Sequence, residues 1–135
     1  MLRLDADVRE EMVSHALAGA TEEICGVLGG RHGPDESHAT TVRRAENVAA
    51  TPRTRYELDP AAQLALMDDI EDGGADVVGF YHSHPAGPSG PSETDAAQAT
   101  WTGYSYVIVD CSGEPSVGAW RWTGEAFEPE RIERA

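Results

Sequence analysis

Apolar positions recur along the chain at two spacings, and the change from one to the other marks the expected elements. From Asp5 to Ala20, Val8, Met12, Val13, Ala16 and Leu17 make a stripe at helical spacing; Asp5 or Asp7 can cap it and Gly19 ends it. Ile24 to Gly30 is a short apolar run that reads as a strand, with Glu23 just ahead of it. A turn rich in Gly, Pro and Asp covers Arg31 to Ser37, and His38 to Val48 reads as a polar-faced strand pairing back on the previous one. His32 and His38 flank that turn and are expected to be exposed and inert. After a breaker-rich loop from Thr51 to Arg55, Tyr56-Glu57-Leu58 reads as a short strand. Asp59-Pro60 is a helix start, with Asp as N-cap and Pro at the first helical position. That helix runs from Ala61 to about Asp72, with Leu64, Met67 and Ile70 inward, and Gly73-Gly74 stops it. Asp76 to His84 reads as a buried strand, and a helix runs from Ser92 to about Thr100. Tyr104 to Asp110 is the clearest central strand; Ser116 to Thr123 is another, holding Trp120 and Trp122 on one face. Phe127 to Ala135 is a last short element. The three tryptophans, Trp101 included, read as packing residues. The mixture predicts an α/β fold with mixed strands and three helices.

At 135 residues the chain is expected to be a single domain, 1–135. No apolar run is long enough to span a bilayer, so a soluble, cytoplasmic protein with no membrane partner is expected. Acids outnumber bases 24 to 10, for a formal charge of −14, and every base is Arg. No basic stripe exists to neutralise phosphates, so no nucleic-acid partner is expected. An acidic, Lys-free surface suits a high-salt (halophilic) cytosol, although codon bias would remove Lys equally well. Cys25 and Cys111 form no Cys-x-x-Cys pair and read as two buried free thiols, with a disulfide between them left open.

The chemistry concentrates between Gly79 and Asp95. Alternation places Phe80, His82 and His84 on one face of their strand and Ser83 on the other. Two residues of strand span roughly 6.6 Å, so two imidazoles leaning together can share one ion. Three prolines and two glycines between Pro85 and Pro91 force a turn. Ser92 then caps the next helix, and Asp95 lies one turn on, beside the end of the strand. Ser-x-x-Asp alone is an ordinary capping pair, and a capping and a chemical role coexist easily. Two histidines and one carboxylate leave a fourth tetrahedral position for water, as in catalytic zinc sites.

These residues resemble the signature of the JAMM (MPN+) zinc metalloproteases, His-x-His-x7-Ser-x2-Asp, here His82, His84, Ser92 and Asp95. Glu23-Ile24-Cys25-Gly26-Val27-Leu28 is similar to that family's upstream Glu-x-Cys-Gly-hydrophobic-Leu context. The resemblance spans nearly the whole chain. It implies a JAMM/MPN-like, cytidine-deaminase-like fold: a curved, mixed, mostly antiparallel sheet with helices packed against it. It implies one catalytic Zn2+ on His82, His84 and Asp95, Glu23 as general base and later acid, and Ser92 stabilising the oxyanion. The implied activity is desampylase-like cleavage after the C-terminal Gly-Gly of a ubiquitin-like modifier, with lysine-linked conjugates of that modifier as partners. A peptidase trimming a sulfur-carrier protein is the same chemistry in different biology. A non-catalytic MPN scaffold is expected to lose ligands, and every candidate ligand is present. A zinc deaminase would need Pro-Cys-x-x-Cys and a thermolysin-like protease His-Glu-x-x-His, and neither occurs.

Overall fold

Strand β4, Asp76–His84, is the element the others are arranged around. The computed structural model describes residues 1–135. In chain order the remaining elements are β1 (Leu2–Leu4), α1 (Ala6–Ala18), β2 (Cys25–Arg31), β3 (Ser37–Ala45) and α2 (Pro60–Asp72), then, after β4, α3 (Glu93–Gln98), β5 (Ser105–Asp110), β6 (Ser116–Trp122), β7 (Phe127–Glu130) and β8 (Ile132–Arg134). They form one sheet in the order β7-β6-β5-β4-β2-β3-β1-β8. The β4–β5, β1–β3 and β1–β8 pairings are parallel and the other four antiparallel, as expected of a mixed, mostly antiparallel sheet. No helix is long and apolar enough to cross a membrane.

The helices divide between the two faces. Val8, Met12 and Ala16 of α1 pack on Leu28, Val78, Tyr81, Val107 and Val109. Met67 and Ile70 of α2 pack on Val27, Val77, Phe80, Tyr106 and Trp122. Burying each such large side chain contributes roughly 1.5–3 kcal/mol, so both faces are firmly held. A bulge sets the phase of β4. Leu28 pairs with Gly79 and Gly29 with Val77, which leaves Val78 as the extra residue. Val77 and Phe80, three apart, therefore share the α2 face. Beyond the bulge, strict alternation carries His82 and His84 onto that same face.

Several expectations change. Leu17 and Leu64 are exposed, not core. On α2 the inward stripe is Gln63, Leu66, Met67 and Ile70, one residue out of phase with Leu64, and no residue from 60 to 65 is buried. Tyr56-Glu57-Leu58 is not a strand. Its one backbone tie to the preceding loop is Val48 N–H to the Glu57 carbonyl, and the Asn47 side chain accepts from Glu57 N–H in place of a ladder. Helix α3 stops at Gln98 because Ala99 is extended and the Trp101 N–H turns away to the Tyr106 hydroxyl. His38 binds Asp5 at 2.7 Å, and His32 stacks on Tyr104 with centroids 4.5 Å apart, so neither is a free surface histidine. Both cysteines are free thiols, Cys25 buried and Cys111 half-buried.

The last expected element is two strands on opposite edges. β7 pairs with β6 and β8 with β1, with Arg131 alone between them. The sheet therefore curls until its edges meet, and side chains clasp the seam. Arg121 donates to Glu130 at 2.9 Å, to the Gly103 carbonyl at 3.0 Å and to Ser37 at 3.0 Å.

Candidate metal centre

Four side chains from three elements converge. β4 ends in His82 and His84, α3 presents Asp95 from its first turn, and Glu23 sits immediately before β2. One ligand atom from each lies within 4.8 Å of all the others, and all four residues are buried. His82 Nε2 is 3.2 Å from His84 Nε2, and the two lie 3.1 and 3.0 Å from Asp95 Oδ2. Tetrahedral coordination at about 2.0–2.1 Å gives a ligand–ligand edge of about 3.3 Å, so this triangle is the right size for one zinc ion. Glu23 Oε1 completes the argument for fit: it is buried without any hydrogen-bond partner, beside the triangle.

The electrostatics favour positive charge between these groups. Burial pushes the Asp95 carboxyl up, but hydrogen bonds from His82, His84 and the Ser92 N–H outweigh it and hold it well below the usual carboxylate range. Burial lowers His82 despite its bond to Asp95. His84 is raised, because Asp95 and the Pro88 carbonyl offset its burial. Glu23 is pushed up to about 7, chiefly by burial, with His84 opposing and Asp95 reinforcing.

Neighbouring groups fix the orientation of each candidate. His84 Nδ1–H donates to the Pro88 carbonyl at 2.8 Å, which turns Nε2, the nitrogen that the neutral ring would offer to a metal, towards Asp95 and the triangle. The Tyr56 ring stacks on His82, centroids 4.2 Å apart and 22° from parallel. Ser92 and Asp95 form a reciprocal capping box: Asp95 N–H donates to Ser92 Oγ at 3.0 Å and Ser92 N–H to Asp95 Oδ2 at 2.9 Å. Ser83 points away, as expected. Its Oγ accepts from Ile24 N–H at 3.0 Å, and its own N–H donates to the Ile24 carbonyl, which ties β4 to the neighbour of Glu23. The Glu23 backbone is clamped from the other side: its N–H donates to the Pro52 carbonyl at 2.7 Å, and Asn47 Nδ2 donates to its carbonyl at 2.9 Å.

All five residues singled out in the sequence are thus in one place, and Glu22 is exposed while Glu23 is buried. Tyr56, Asn47 and the Pro88 carbonyl were not found by sequence reasoning. Tyr56 and Asn47 fall in segments that read as strand but lie in loops, and a backbone carbonyl leaves no mark in a sequence. Beyond Tyr56, a cavity of about 310 Å3 runs between the 56–58 segment and α3, floored by Phe80 and Tyr106.

The Prok-JAB family model, described as prokaryotic homologs of the JAB domain, matches residues 5–123. The chain is 46% identical to a desampylase of Haloferax volcanii, across 93% of this chain and 91% of that one. It is 38% identical to a CysO-cysteine peptidase of Mycobacterium tuberculosis, across 81% of this chain and 73% of that one. The crystal structure of a JAB1/MPN domain protein from Archaeoglobus fulgidus has the same fold, with a TM-score of 0.61 and 20% identity over 100% of this chain and 97% of that one.

Proposed function

Since the chain belongs to the prokaryotic homologues of the JAB domain, we propose that it is a zinc-dependent metallo-isopeptidase that cleaves after the C-terminal Gly-Gly of a ubiquitin-like modifier, with residues 1–135 acting as one catalytic domain. The observation that carries this reading is the buried triangle of His82, His84 and Asp95 with the unpartnered Glu23 oxygen beside it. His82 Nε2, His84 Nε2 and Asp95 Oδ2 would hold the ion. When bound, it supplies Lewis acidity and lowers the pKa of a coordinated water towards about 7. Glu23 accepts a proton from the attacking water and returns it to the leaving amine; its buried, unpartnered oxygen beside the triangle places it for both tasks. The Ser92 hydroxyl already accepts from Asp95 N–H, so its own hydrogen is free to donate to the developing oxyanion. A Gly-Gly tail suits a site this closed, because a backbone without side chains needs the narrowest groove.

The test is incubation of zinc-loaded protein with a Gly-Gly-tailed ubiquitin-like modifier joined to a lysine side chain. The wild type is expected to release free modifier. Glu23→Gln is expected to keep zinc and to lose on the order of 10²–10⁴-fold in rate. If Glu22→Gln is the inactive variant instead, the base is misassigned. An intact conjugate with fully zinc-loaded wild type would return the fold to a scaffold role.

A second reading is favoured by one relative, the CysO-cysteine peptidase: removal of a short C-terminal extension from a sulfur-carrier protein. The residues and steps are the same. A carrier ending Gly-Gly-Cys, compared with the lysine conjugate at equal concentration, separates the two by kcat/KM.

A further inference from the structure

The His84 ring depends on a loop, and the loop depends on something that neither the metal reading nor the core accounts for. Residues 85–91 connect β4 to α3 and carry the Pro88 carbonyl that accepts from His84 Nδ1 at 2.8 Å. One flank of this loop rests on the end of β5. Gly87 N–H donates to the His84 carbonyl at 3.2 Å, and a Cβ at Gly87 would lie 3.6 Å from Asp110 Oδ1. The other flank faces Trp120. A Cβ built at Gly90 meets only one neighbour within 4 Å, Trp120 Cζ2 at 3.7 Å.

Trp120 reaches that position by lying along its own strand. A Cβ at Gly118 would come 2.6 Å from Trp120 Cη2 and 3.0 Å from Cζ3, so the indole occupies the space where a side chain at 118 would stand. In the sheet Trp120 is opposite Tyr106 and Gly118 opposite Ile108, which in turn pairs with His82. The ring therefore points from the Tyr106 level towards the metal end of the sheet. It belongs to neither core cluster and is half-buried. Trp122, two residues on and on the same face, is buried among Phe127 and Tyr106.

We propose that Trp120 is a positioning residue for the metal centre: its indole, seated on Gly118, backs the 85–91 loop and so holds the Pro88 carbonyl where it fixes the His84 ring. This rests on the metal reading above. Gly118 is glycine because the indole takes its side-chain space. Partners that orient a ligand histidine typically change metal affinity 10–100-fold when lost, and a group one step further out acts at the lower end.

Zinc affinity of the full chain, measured by competition with a chromophoric chelator using zinc alone, tests this without any substrate. Trp120→Ala is expected to weaken zinc binding about tenfold. Trp120→Phe, which keeps an aromatic slab on Gly118, should restore most of the loss. Gly118→Ala should displace the indole and reproduce the loss, and the double variant with Trp120→Ala should add nothing further, because both act through one contact. The metal-free thermal midpoint of Trp120→Phe should match wild type. Unchanged zinc affinity in Trp120→Ala overturns the proposal, and a raised KM alongside it would make Trp120 a substrate contact instead. Zinc affinity that falls only in step with metal-free stability across all variants also overturns it. A wild-type chain that takes up no zinc removes the metal centre itself, and this inference with it.

Discussion

Gly26 has no room for a side chain. A Cβ there would collide with the Tyr81 ring and lie 2.5 Å from the Arg43 carbonyl, so the glycine after Cys25 lets a large tyrosine of β4 cross β2 just behind the metal ligands. The same tyrosine reaches α1, where its hydroxyl lies 2.7 Å from His15 Nδ1. Burial, helped by the Arg44 charge, lowers His15 to about 4 and is only partly opposed by Glu11. The sign follows from linkage. The unfolded chain binds a proton near pH 6.5, whereas folded His15 resists it until about 4, so the stability tied to its neutral form is present above 6.5 and lost as pH falls through 4. His15→Gln, which can still accept from Tyr81, is expected to flatten the decline in thermal midpoint between pH 6.5 and 4 relative to wild type. Parallel declines in the two proteins would show that His15 titrates as an ordinary surface histidine.

At the scale of elements, the six-residue α3 is far too short to be stable by itself, so Asp95 stays in place only through its cap and its packing. Ser92 serves both needs. Ser92→Ala is expected to cost about 1 kcal/mol of stability from the lost cap. It should also slow hydrolysis by about 10²–10³, which the cap alone does not explain. Ser92→Thr retains oxygen and hydrogen and should lose far less of either. Denaturant unfolding and kcat on the same preparations check both; equal fractional losses of stability and rate would leave Ser92 with capping alone. This part of the site was legible in the sequence because spacing is local: His82, His84, Ser92 and Asp95 lie within fourteen residues, and strand alternation and helix capping act over that range. The bulge at Val78 did no harm because it precedes Phe80, where the alternation that matters begins. Tyr56 and Asn47 were not legible, since a ring stacked on His82 and an amide clamping Glu23 are tertiary contacts, made from loop segments whose local pattern reads as strand. Leu64 misled for the opposite reason: it continues a helical stripe, but no residue in the first half of α2 is buried to reward the pattern.

On the scale of the whole molecule, the metal end and the seam are opposite ends of one curled sheet. Arg121 aligns through Ser105 with Gly79, while His84 aligns with Asp110, five residues along β5 and so roughly 16 Å away. That the edges meet at all was not legible, because a one-residue link between β7 and β8 reads as continuous chain. A buried ion pair on the β6–β7 edge anchors the clasp: the Arg121 and Glu130 side chains are 13% and 4% exposed, and from it Arg121 reaches across to Ser37 at 3.0 Å and Glu130 to the N-terminal amine at 3.3 Å, while Glu130 also accepts from Ser105 at 2.6 Å. Removing one partner of a buried pair typically costs about 3–5 kcal/mol, and here the lower end applies because Glu130 keeps Ser105 and the N-terminal amine; replacing both with apolar groups costs much less. Arg121→Leu is therefore expected to lower unfolding free energy by about 3 kcal/mol, and adding Glu130→Met should recover part of that loss. Ions at molar concentration screen exposed pairs such as Arg131–Glu133 but reach a buried one poorly, so the difference between Arg121→Leu and wild type should persist in high salt. Zinc affinity should not change in either variant, given the distance from His84. Urea unfolding at low and molar salt, with chelator competition on the same proteins, decides the matter. A single variant as stable as wild type would mean that backbone pairing alone closes the seam, and a loss that vanishes in salt would mean the pair is solvated.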